Sequence, residues 1–235
     1  MNWVVNNLDL IAELSVEHIR LSIPPILLGF VISIPIGWLA FRFKLTRGLL
    51  LTLAGLLFTI PSLALLVILP PLLGISALSD ANLTIALTIY AVAIMARSVA
   101  DALGSVDPAV RQSATAVGYG SWRLFWTVEF PLAGPVILAG LRVAAVSTIS
   151  LVTVGILIGT ESLGYLFTNG YQRRIVAEIF AGVVMVVVIA LVVDYLLVLL
   201  GRLLMPWTRQ QKPVRPHLER IPLVPTATNT LGGAR

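Results

Sequence analysis

Cysteine is absent from this 235-residue chain, which excludes a disulfide framework, thiol chemistry and any cysteine-based metal site. Histidine occurs only as His18 and His217, both near the chain ends. Neither a metal centre nor a buried Ser–His dyad is therefore expected. Charge is scarce too. Asp, Glu, Lys and Arg make up 11% of residues, against about 25% in average protein usage. A soluble fold of this length could not cover its surface with so little charge. Lysine is confined to Lys44, followed by Leu45, and Lys212, followed by Pro213. A phosphate-binding loop needs Gly-Lys-Ser/Thr, so ATP hydrolysis has no home here, and the chain is expected to bind no cofactor and to be no enzyme.

Apolar residues are what remain, at 58%. A membrane-crossing helix needs about 20 mainly apolar residues, and five runs qualify: 21–41, 48–72, 82–100, 132–158 and 179–204. The expected fold is all-α, a polytopic transmembrane bundle. Pro24, Pro25 and Pro35 in the first run and Pro61 in the second are tolerated in a bilayer where neighbouring helices or water satisfy the freed backbone groups. That favours a bundle around a polar path over a simple anchor.

The net charge of +5 belongs to membrane flanks and not to a nucleic-acid surface. Arg42, Lys44 and Arg47 lie between spans one and two, and Arg97, Arg111 and Arg123 between spans three and four. Arg202, Arg209, Lys212, Arg215, Arg220 and Arg235 follow span five. Alternation puts these twelve on one side, with Arg20, Arg173 and Arg174 opposite. The positive-inside rule makes the twelve cytoplasmic, in a cell membrane, with the N-terminus outside. Residues 1–18 carry Asp9, Glu13 and Glu17 and lack a signal peptide's basic start. They form either a short interfacial helix or a frayed terminus. Residues 19–206 make the membrane domain. Residues 207–235, rich in proline, are too poor in apolar surface to fold alone and read as a disordered cytoplasmic tail.

The stretch DPAVRQSATAVGYGSWRLFWTVEFPLAGP, 107–135, fits neither membrane nor core. Asp107 before Pro108 reads as an N-cap with proline at the first helical position. Gly118 and Gly120 stop the helix. Val110, Ala114 and Val117 share a face, slimmed by Ser113 and Ala116, which another backbone can approach closely. A second short helix from Ser121 carries Trp122, Phe125 and Trp126 and is expected to end at Pro131.

At these residues the chain resembles the permease subunits of bacterial ATP-driven (ABC) importers. Their cytoplasmic loop carries Glu-Ala-Ala, three residues, Gly, nine residues, Ile, one residue, Leu-Pro. Here the register gives Gln112, Ser113, Ala114, then Gly118, then Val128, Phe130 and Pro131. The resemblance implies a type I importer core whose loop, about 101–131, holds a coupling helix docking on a separate ATPase subunit, where ATP is bound. It also implies a second permease copy or a sister permease, and an extracytoplasmic solute-binding protein. The segment IGTESLGYLFTNG, 158–170, and the span ending VVDYLLVLLGRLLMP, 192–206, are similar to the subgroup importing glycine betaine, carnitine, choline or proline as osmoprotectants. Leu163, Gly164, Gly170, Asp194 and Pro206 carry that likeness.

Thr84, Thr88, Met95 and Ser98 in span three, with Ser147, Ser150 and Thr153 in span four, form stripes that either line a path or pack helices together. Trp38, Tyr90 and Tyr165 offer ring faces to a quaternary ammonium. Arg142 and Asp194 each lie about 15 Å inside their spans at 1.5 Å per residue. They either pair, bracing spans four and five, or Arg142 snorkels while Asp194 meets backbone or water. A secondary carrier coupled through Asp194 and a membrane scaffold using the loop as a docking surface are the competing classes.

Overall fold

The computed structural model describes residues 2–210, so the expected tail lies outside the described residues from 211 onward. Within the unit that ends at Met205 the fold is all helical: α1 (Asn2–Asn6), α2 (Leu8–Arg42), α3 (Lys44–Thr59), α4 (Ser62–Leu73), α5 (Asp80–Gly104), α6 (Pro108–Ala116), α7 (Ser121–Leu124), α8 (Phe130–Val152), α9 (Gly164–Arg173) and α10 (Val176–Leu204). A π-helical turn, Phe125–Glu129, joins α7 to α8, and a 3-10 turn, Thr153–Ile158, extends α8. Four stretches are long and apolar enough to cross a membrane, and five if a bent pair, α3 with α4, is counted as one span.

Three sequence expectations change here. The helix of span one starts well before 21: α2 runs from Leu8 as a single helix of 35 residues, about 52 Å long. Its acids hid the reason. Ile11, Leu14, Ser15 and His18 are buried in the same stripe that continues through Leu21, Ser22, Pro25, Ile26 and Gly29, while Asp9, Glu13 and Arg20 point outward. One face passes unbroken from the amphipathic part into the span.

The second span is broken. α3 and α4 meet at 105° across Ile60 and Pro61. Proline has no N–H to continue the ladder and pushes the residue before it out of the helical region, and Ile60 is extended at φ −65°, ψ 129°. The carbonyl of Ile60 accepts the hydroxyl of Tyr90 on α5. Tyr90 is thus a buried partner of the break, with its ring edge-on to Phe58.

Pro131 does not end a helix. The chain is helical from Ser121 to Ile158, because the wide turn before Pro131 carries an i→i+5 bond from the Phe130 N–H to the Phe125 carbonyl. Beyond α8, Gly164–Arg173 forms a further helix, α9.

α5 is the centre. Leu83, Ala86, Leu87, Tyr90, Ala91, Met95, Val99 and Leu103 are buried along its length, mainly against α2 and α8. The approach to α2 is close: a Cβ on Gly29 would stand 2.3 Å from that of Ala91. Gly29→Val is expected to cost about 1–3 kcal/mol through overpacking, read as a lower melting temperature of the purified protein. An unchanged melting temperature would count against this crossing.

Candidate coupling loop and intramembrane ion pair

The α6 helix is built by its caps. Asp107 accepts the Ala109 N–H at 2.8 Å, Pro108 opens the helix, and the C-terminus closes through Gly118 N–H to Thr115 O (3.0 Å) and Tyr119 N–H to Ala114 O (3.1 Å). That closure needs Gly118 at φ +90°, a backbone region L side chains adopt only with strain. No residue of α6 is buried. Gln112 and Ser113 are exposed, Ala114, Val128 and Pro131 are half-buried, and Val117 is 78% exposed. The helix therefore shows nearly all its surface, slim and mildly apolar, to whatever lies beneath.

One residue of the loop points inward. The Arg111 Nε donates to Glu129 Oε1 at 2.7 Å, with side chains 20% and 7% exposed. Its Nη2 donates to the Leu103 carbonyl at the end of α5, and its guanidinium stacks 4.7 Å from the centroid of the Phe41 ring on α2. Around it Phe125 is buried, edge-on to Trp38 at 6.0 Å and to Trp126 at 4.9 Å. A single guanidinium thus ties the loop to α2, α5 and the π-turn. Sequence reasoning missed this, having counted Arg111 only as a topological charge. The available signal was an acid, Glu129, beside the motif's proline at the mouth of an apolar span. Between the end of α2 and the α6–α7 loop lies a cleft of about 570 Å³, which Trp38, Arg42, Gln112 and Tyr119 help to line.

Midway along their helices, on a face left partly open, Arg142 of α8 meets Asp194 of α10. Nε donates to Oδ1 at 2.6 Å and Nη2 to Oδ2 at 2.7 Å, a bidentate fork between residues 52 apart in sequence. The side chains stay 40% and 26% exposed on a cavity of about 460 Å³ shared with Ala139, Val143, Val146 and Ser147.

The two candidate stripes sit differently. In span three, Met95 is wholly buried and Thr88 nearly so. The Thr88 hydroxyl is turned back onto the Thr84 carbonyl, and Thr84 is half-buried. Ser98 packs against α8, where a Cβ on Gly140 would come within 2.5 Å of it. In span four, Ser150 is exposed and Ser147 and Thr153 are half-buried, with the Thr153 hydroxyl on the Ser150 carbonyl. At the end opposite the loop, buried Glu178 accepts from Asn169 Nδ2 at 2.6 Å, and buried His18 Nε2 lies 3.0 Å from the Ile149 carbonyl.

The chain is similar to known proteins over most of its length. The chain is similar to the osmoprotectant import permease protein OsmW of Salmonella typhimurium, 32% identical over 202 residues, covering 84% of this chain and 93% of that one. It is also similar to the glycine betaine/carnitine/choline transport system permease protein OpuCB of Bacillus subtilis, 31% identical over 193 residues, covering 81% and 86%. An inward-facing structure of the MetNI methionine ABC transporter superposes with a TM-score of 0.76 at 20% identity, over 85% of this chain and 98% of that one. Residues 29–210 match the family described as binding-protein-dependent transport system inner membrane component. The chain belongs to that family, as the multi-pass inner-membrane permease of an ABC importer whose ATPase is a separate subunit.

Proposed function

We propose that this permease moves an osmoprotectant such as glycine betaine, carnitine, choline or proline into the cell. The observation carrying the reading is the likeness to permeases named for such solutes over more than 80% of the chain. A different small solute on the same machinery is the second reading, favoured by identities near 30%. Binding-protein-dependent importers work with an ATPase and a solute-binding protein, and those are this chain's partners. In our reading α6 docks on the ATPase, the membrane domain spans 19–206 and pairs with a second copy or a sister permease, and Ser147, Ser150 and Thr153 face the path. Thr84, Thr88, Met95 and Ser98 then serve mainly to pack span three, consistent with their burial.

The purified complex with its binding protein, in proteoliposomes, is expected to take up glycine betaine only with ATP inside. Uptake of unrelated solutes alone would replace the osmoprotectant reading with the second one.

Sidedness rests on the twelve-to-three distribution of Lys and Arg. In this cysteine-free chain a single cysteine at Gln172, exposed next to α9's end, should label from outside, and one at Val117 from the cytoplasm. The reverse pattern would invert the topology. Gly170 is a poor probe site, because a Cβ there would lie 2.8 Å from Ile179.

A further inference from the structure

We propose that Arg142 and Asp194 form a zwitterion-binding site on the solute's path, with Arg142 taking a carboxylate and Asp194 the ammonium group of the same molecule. The inference rests on the permease reading and adds a site and a ligand class to it.

Depth comes first. Arg142 and Asp194 lie about 15 Å or more from the nearer ends of their helices. Charged side chains at such depth face water or protein and not lipid tails. Yet the pair is not packed shut: it opens on the cavity between α8 and α10. A brace between two spans has no need of that opening.

Hydrogen-bond capacity comes second. Arginine carries five N–H donors in a rigid fork. Asp194 engages Nε and one Nη2 hydrogen, and the remaining donors have no partner among the described residues. A carboxylate can be held by the outer edge of the fork while the inner edge keeps Asp194. The carboxylate of Asp194 also has further lone-pair directions beyond the two bonds it accepts.

Electrostatics then selects the ligand. The pair is neutral overall. A simple cation drawn to Asp194 is repelled by Arg142 at nearly the same distance, and a simple anion meets the reverse. A molecule carrying both charges, laid antiparallel to the pair, gains at both ends. The walls suit the rest of such a molecule. Ala139, Val143 and Val146 give apolar contact for alkyl groups on nitrogen, and Ser147 adds a hydroxyl. None of the lining residues is aromatic, so the ammonium is left to the carboxylate and not to a cage of rings. Ser150, exposed one turn beyond Val146, carries polar surface onward from the site.

The test uses the complete transporter with its binding protein in proteoliposomes, with glycine betaine and an amino acid as zwitterions and choline as a simple cation. Two double variants remove the charges but leave a matched contact between the spans: Arg142→Gln with Asp194→Asn, and Arg142→Met with Asp194→Leu. Replacing both members of an ion pair by a compatible pair preserves stability. Assembly and melting temperature should therefore stay near wild type, while zwitterion uptake falls about tenfold or more, a loss of transition-state stabilisation with the fold intact. Zwitterion uptake near the wild-type rate in either assembled double variant would reduce the pair to a brace. If neither variant assembles, labelling decides. In the otherwise unaltered chain, a cysteine at Ser147 should react several-fold more slowly with a maleimide when the transported zwitterion is saturating, and an unchanged rate overturns the site. Wild-type uptake of a zwitterion outside the osmoprotectants, with no uptake of glycine betaine, carnitine or proline, would remove the osmoprotectant reading and leave this site standing. Uptake limited to solutes of one charge sign, or none at all, overturns the site.

Discussion

Ser113→Trp is expected to leave the permease folded and inserted and to cut solute-stimulated ATP hydrolysis by about 100-fold, equivalent to about 2.7 kcal/mol of lost docking. Ser113 is exposed on a helix in which no residue is buried, so an indole there collides with nothing in its own chain. In our reading the slim face serves a neighbour. Melting temperature and yield should match wild type, and the deficit should appear only in the assembled transporter. Normal stimulation by a well-expressed Ser113→Trp protein would show that α6 is not the contact.

Arg111→Ala should instead damage the permease itself. It strips the counter-charge from Glu129, whose side chain is 7% exposed, and removing one member of a buried pair costs about 3–5 kcal/mol. The Leu103 carbonyl loses one of its donors and the Phe41 ring its covering guanidinium. Hydrogen exchange should rise first in 107–129, because Arg111 is what ties α6 to α2 and α5. The paired change, Arg111→Met with Glu129→Leu, is expected to recover most of the melting temperature without restoring the tie to Leu103. Equal loss in the single and double variants would mean that the charge pairing contributes little.

Legibility in the sequence follows the range of the interaction. The caps of α6 act over two to five residues, and Asp107, Pro108 and Gly118 announce them. Apolar runs longer than a bilayer needs announce the spans. The equal depth of Arg142 and Asp194 is likewise a matter of counting, although their bidentate geometry is not. What stayed hidden needs a partner from elsewhere. A hydropathy window over 48–72 is blind to direction, and the Ile60 carbonyl freed at the Pro61 break is satisfied by a hydroxyl supplied 30 residues later by Tyr90. The early start of α2 was masked because Asp9, Glu13 and Glu17 look like a terminus, although the buried stripe runs on beneath them. Arg111 and Glu129 needed the fold to bring them together.

The π-turn at Phe125–Glu129 holds one residue more than an ordinary helix would place there. Deleting any one of those five residues would let the ladder revert to regular i→i+4 bonding. Everything upstream would then turn by about 100° around the axis of span four, the rotation of one residue in an α-helix. The aim of the whole loop is thus held by a residue count. Substitutions at Trp126, Thr127 or Val128 leave that count untouched, whereas the loss of a single codon would swing α6 away from the docking direction we propose for it.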